Sequence, residues 1–138
     1  MLHRLRDVNL ALLLLRVGMG GMMLTHGIPK LMRGPDLWPK LGKAVEHVGI
    51  SEGHAVFGAA AVLAETVGAV LVILGFKTRP AAFSVFLTMV VAAAMHVGKD
   101  DGWSKVSHPI EVGIAFLAIA IAGSGKYGID KDLSLIHI

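Results

Sequence analysis

Residues 55–97 read AVFGAAAVLAETVGAVLVILGFKTRPAAFSVFLTMVVAAAMHV, and this stretch decides the fold. Two apolar blocks, 55–76 and 80–97, flank the three residues Lys77, Thr78 and Arg79. A helix needs about 20 mainly apolar residues to cross the hydrocarbon core of a bilayer, and both blocks are of that order. The alternation that membrane strands require is absent. A segment in lipid must satisfy its own backbone groups, so helices are predicted. The connection is so tight that the two helices must be antiparallel neighbours. Pro80 suits a first helical turn, and Gly75 suits the end of the preceding helix.

Working outward, apolar blocks at 8–25 and 109–122 complete an all-α bundle of four transmembrane helices, with Pro109 and Gly123 placed like Pro80 and Gly75. Hydrophobic residues make up 54% of the chain and charged ones 17%. Mean hydropathy is +0.68, and the charges fall between the blocks. A net charge of +3 is too small and too scattered for a nucleic-acid footprint. The absence of cysteine excludes disulfides, thiol redox chemistry and thiolate metal sites, so a redox role would need a bound cofactor or a partner carrying one. The basic start and apolar run to Leu15 resemble a secretory signal. Arg16 interrupts that run and apolar residues resume through Leu24, which predicts a retained first helix. Residues 1–132 read as one domain; the apolar tail 133–138 is read as an adapter-derived scar and kept out of the fold.

The connection 26–54 is polar and broken by Gly34, Pro35 and Pro39, with Trp38 as an interfacial anchor and a short surface helix over 43–47. Basic residues are Arg4, Arg6, Lys77, Arg79, Lys126 and Lys131 on the side of the termini, against Lys30, Arg33, Lys40, Lys43, Lys99 and Lys105 on the other. The first set lies in shorter segments with fewer acids, which predicts an inner-membrane protein with both termini in the cytoplasm.

Arg16 and Glu65 lie deepest in the blocks, at roughly 13 Å and roughly 16 Å from the block ends by helical rise. Both share a face with small residues that allow close helix approach, so they are expected to pair inside the bundle. That pair is either a structural ion pair or part of a proton or cofactor site. At the other end, His26, His96, His108 and Glu111 converge on three helix ends, with Lys30 nearby. Glu111 continues into Ala115, Ala118 and Ala122, a small-residue face predicted to point inward. Histidine and carboxylate at this depth suit a proton shuttle or hydrogen bonds to a quinone carbonyl. No pair has tight metal-ligand spacing, and no metal site is predicted. The methionines read as packing, and Gly18, Gly20 and Gly21 as close helix contact rather than a phosphate loop.

The stretch LLLLRVGMGGMMLTHGIPKL resembles the opening of the DoxX family of small membrane proteins, with an arginine in the first helix followed by His-Gly and a lysine. AAAVLAETVGAVLVILGFKTRPAA resembles that family's second helix and basic turn, and MVVAAAMHVGKDDGW its third-helix end. HPIEVGIAFLAIAIAGSGKYGID resembles its fourth helix and closing Gly-x-Tyr-x-x-Asp. The resemblance places the family's recurrent polar positions on Arg16, His26, Lys30, Glu65, Arg79 (in the cytoplasmic turn), His96 and Glu111. It implies a membrane subunit of a quinone-linked oxidoreductase system. His26, His96 and Glu111 would then bind or protonate a quinone, with Lys30 and His108 assisting. A non-catalytic scaffold recruiting soluble redox enzymes is the alternative. A b-type haem protein with His26 and His96 as axial ligands is the third reading. The expected partners are the lipid bilayer and redox proteins, and the Gly- and Ala-rich faces permit a homo-oligomer.

Overall fold

The computed structural model describes residues 2–130; Lys131 and the tail 133–138 lie outside them. Among the described residues every regular element is helical. Four helices are long and apolar enough to cross a membrane: Arg6–Arg33, His54–Leu74, Thr78–Gly98 and Trp103–Ala122. Side chains such as Leu14, Met32, Ile114 and Ile121 stand 64–82% exposed on their outer surfaces. That much bare apolar side chain suits contact with lipid. Val72, Val85, Phe116 and Ile119 are fully buried between the helices.

Helix α1 spans Leu2–Arg33, well beyond the 8–25 expected. It carries on through Thr25, His26 and Pro29 and stops only at Gly34, whose φ of 81° no helix accommodates. The Thr25 hydroxyl donates to the Met22 carbonyl at 2.6 Å, so a polar residue there need not end the helix. The first connection is not a free loop. A 3-10 turn Pro35–Leu37, helix α2 at Trp38–Gly42 and a second 3-10 turn Lys43–Val48 lie over the start of the second span. The Trp38 carbonyl fills the space a Cβ on Gly58 would take, and the His54 carbonyl does the same at Gly42. The surface helix expected over 43–47 is thus a 3-10 turn that buries Val45.

The second span has a feature with no sequence signature. Helix α3, His54–Leu63, passes through a π-helical turn, Ala64–Gly68, before α4 continues over Ala69–Leu74. Thr66 steadies the turn by donating its hydroxyl to the Val62 carbonyl at 2.7 Å. The span ends on Gly75 at φ 70°, with the Gly75 N–H on Val72 O and the Phe76 N–H on Leu71 O, the paired bonds of a Schellman stop.

Helix α5 covers Thr78–Gly98 and α6 covers Trp103–Ala122. Pro80 stands in the first turn of α5 as predicted. Pro109 does not stand in the first turn of α6. That helix begins at Trp103, directly after Gly102 at φ 90°, and Pro109 is buried inside it. Gly113 sits against Met89 and Phe86, close enough that a Cβ there would meet Met89 at 3.3 Å. Against α1, Gly20 meets Ala69 and Ile73 while Gly27 meets Glu65, so partner numbers fall as α1 numbers rise.

Candidate functional site

The π-turn presents Glu65 to α1. Gly27 has no side chain, and a Cβ there would overlap the Glu65 carbonyl, so the two backbones meet at that point. One turn later Lys30 reaches back, and its Nζ donates to Glu65 Oε2 at 2.7 Å. The Glu65 side chain is 4% exposed and that of Lys30 34%, so the pair runs from the interior to the rim. A buried carboxylate is tolerable when a cation bonds it directly.

His26, one helical turn before Lys30, lies against His108 of α6 with ring centroids 5.8 Å apart and planes inclined by 51°. Both residues are exposed on the outside of the bundle. Glu111 is also exposed, so the inward face expected for Glu111, Ala115, Ala118 and Ala122 is corrected. The inward face of α6 is instead Val106, Pro109, Gly113, Phe116 and Ile119. The helix begins early, and the Gly113 contact with α5 sets its rotation.

His96 has a different partner. Its Nδ1 lies 2.7 Å from Asp101 Oδ2 across the turn between α5 and α6. That hydrogen bond holds the Asp101 carboxyl below its ordinary value; desolvation opposes it, and the charges of Lys105, His96 and Lys99 act with it.

The structure does not form the Arg16–Glu65 pair expected from depth. Arg16 is fully buried and donates through Nη1 to the carbonyls of Val72 and Ile73 at 3.3 and 3.2 Å. The Val72 carbonyl also takes the Gly75 N–H, whereas Ile73 O is one of the last carbonyls of α4 that the helix leaves open. The two block ends, residues 8 and 76, are not level: Arg16 lies against Val72 and Ile73 near the end of the second span, and Gly27 is the residue level with Glu65. Arg79 does the same for α6, donating to the Ile121 carbonyl at 2.6 Å.

Sequence reasoning gave no role to Asp130, which gathers this end of the molecule. Its carboxylate accepts the N–H of Lys77 at 2.8 Å and of Thr78 at 2.9 Å, capping α5 from 52 residues away. Burial pushes this carboxyl up, but the two N–H groups and the nearby Arg16 guanidinium outweigh it, and it ends below the ordinary value. The Ile129 and Asp130 N–H groups bond Leu74 O and Gly75 O, and Asn9 accepts the Lys126 N–H at 2.8 Å. The closing Gly125-x-Tyr127-x-x-Asp130 motif was the available signal.

Polar residues therefore gather at two ends. Arg16, Arg79 and Asp130 satisfy helix ends at one, where Asn9 also holds the Lys126 N–H. Lys30–Glu65, His26–His108 and His96–Asp101 occupy the other half. No group of three or more metal-ligating side chains forms among the described residues. The family model described as DoxX matches residues 11–97. The match contains Arg16, His26, Lys30, Glu65, Arg79 and His96 and leaves His108, Glu111 and Asp130 outside. No curated protein and no solved structure matches the chain.

Proposed function

The chain belongs to the DoxX family of membrane proteins, and from that premise we propose that it is the membrane subunit of a quinone-linked oxidoreductase system. One observation carries this reading. An imidazole pair, His26 and His108, lies on the outer surface of the bundle, one helical turn from a lysine at the rim that bonds a buried carboxylate. A quinone diffuses in lipid and reaches a protein laterally, so its head group meets exposed rings without entering the core.

Reducing a quinone to a quinol takes two electrons and two protons. The electrons come from a redox protein partner, and this chain supplies hydrogen bonds and protons. His26 and His108 can each donate a hydrogen bond to a head-group oxygen, and an imidazole nitrogen can pass on a proton. Lys30, between Glu65 and the rim, positions the buried carboxylate behind the histidines. Glu111 lies one turn beyond His108 on the same helix and adds an acid to that surface. His96, held by Asp101, orders the turn at the rim.

Lys77, Arg79 and Lys126 gather at the end of the bundle with Asn9 and Asp130. On the positive-inside rule we place that end, with both termini, in the cytoplasm and the histidines toward the opposite face.

The test is binding of a menaquinone or ubiquinone analogue to the purified protein in lipid nanodiscs. His26→Ala and His108→Ala weaken binding, while His96→Ala lowers thermal stability and leaves binding close to wild type. Equal binding by wild type and both ring variants, or none by any, removes the quinone site. Redox partners that still co-purify with the double ring variant would then favour the scaffold.

A further inference from the structure

A groove of about 490 Å³ runs between the second span and α5, and the function above does not use it. Ala60, Ala64 and Gly68 form one wall, and the π-turn Ala64–Gly68 lies within it. The opposite wall includes Ser84, whose hydroxyl is already spent on the Ala81 carbonyl at 2.7 Å, so the lining is apolar. Lys77 closes one end; it is exposed, at the turn between α4 and α5.

Dimensions and charge select the occupant. From Ala60 to Leu71 the wall rises roughly 16 Å at the helical rise per residue. That is about half of a hydrocarbon core of about 30 Å, the depth of one leaflet. Spread over that length, the groove has a cross-section of roughly 30 Å², far below the roughly 80 Å² of a helix about 10 Å across. A second copy's helix would lie across its mouth rather than in it, whereas a single hydrocarbon chain fits within it. A cation stands at the end where that chain would carry its head group. Lys77 also holds a left-handed backbone, φ 48°, which glycine or asparagine adopts more readily.

We propose that this groove seats one acyl chain of a phospholipid, with the lipid's phosphate diester on the Lys77 ammonium. The chain lies along Ala60, Ala64 and Gly68, where larger side chains would exclude it. The phosphate ties the α4–α5 turn to the head-group level of its leaflet. The site is independent of the quinone reading and shares no residue with it.

The experiment is native mass spectrometry of the full chain, delipidated in mild detergent and then given dioleoyl phosphatidylglycerol or dioleoyl phosphatidylcholine. One phospholipid per protein molecule is expected to remain. Ala60→Phe fills the groove from an exposed position and abolishes retention; Val67→Phe, from a position 53% exposed, is the second variant should the first fail to fold. Lys77→Glu weakens phosphatidylglycerol retention at least about fivefold, the effect of losing one surface cation before the added negative charge is counted. Retention unchanged in both groove variants overturns the proposal, as does retention indifferent to Lys77→Glu. Loss of a dimer in the groove variants without loss of lipid would also overturn it and make the groove an interface between copies.

Discussion

Lys30 and Glu65 are unequal partners: the carboxylate is almost wholly enclosed, while a third of the lysine side chain is open. Lys30→Met should therefore strand Glu65, at a cost of about 3 kcal/mol, the low end for a broken buried pair because the lysine is partly exposed. Glu65→Gln added to Lys30→Met should restore much of that loss. Thermal unfolding of both variants in detergent checks the pair, and equal destabilisation by single and double variants would refute the coupling. Asp101 and Asp130 set the acid limit. Their folded carboxyls are held below the ordinary value, so the unfolded chain takes up protons first. Their stabilisation is complete above about pH 4 and disappears as pH falls through the lower, folded values. In a melting series against pH, Asp130→Asn should flatten the acid side of the curve, with its loss largest at neutrality, where the carboxylate's contribution is complete, and smallest in acid. At this scale the sequence showed which side chains were unusual, because a charge in an apolar block is conspicuous. It could not show partners. Arg16 bonds backbone carbonyls, and every helix has those whatever its residues.

The helices themselves were legible from block length, and the stops at Gly75 and Gly123 from glycine's freedom at positive φ, 70° and 82°. Starts were not. Polar residues around His26 and Lys105 look like loop, yet α1 and α6 extend through them because their side chains find partners or face the membrane edge. The π-turn was invisible for a related reason: its residues Ala64, Thr66 and Gly68 are ordinary for a membrane helix, and the extra residue per turn is imposed by packing. Close backbone contacts give the sharpest test at this scale. Gly58→Ala would drive a methyl group into the Trp38 carbonyl. Such overpacking typically costs about 1–3 kcal/mol, and here it should lift α2 off the second span while leaving the α5–α6 seam intact. Limited proteolysis should then cut within residues 34–53 faster than in wild type, with 78–122 still protected. Unchanged protection of 34–53 would mean the segment is held by something other than this contact.

The whole molecule combines two polar ends with an apolar middle. At one end, chain from three distant regions meets: Asn9, the turn at Gly75–Thr78, and Gly125–Asp130. Helix ends in lipid leave carbonyl and N–H groups that water reaches poorly. The guanidiniums of Arg16 and Arg79 and the carboxylate of Asp130 supply the missing partners from side chains, so this end holds together without a disulfide. These cations also complement the negative ends of α4 and α6, and with Lys77 and Lys126 they give this face basic charge in shorter segments with fewer acids than those of the six basic residues at the other. That charge is the ground for placing the face in the cytoplasm, and the lack of native cysteine makes the placement directly testable. Ser51→Cys and Lys126→Cys alter exposed residues at opposite ends of the bundle. In intact cells a membrane-impermeant maleimide should label Ser51→Cys and spare Lys126→Cys until the membrane is opened. The reverse pattern would invert the molecule and turn the histidine face toward the cytoplasm. Labelling of both without permeabilisation would mean that the four apolar helices do not separate two compartments.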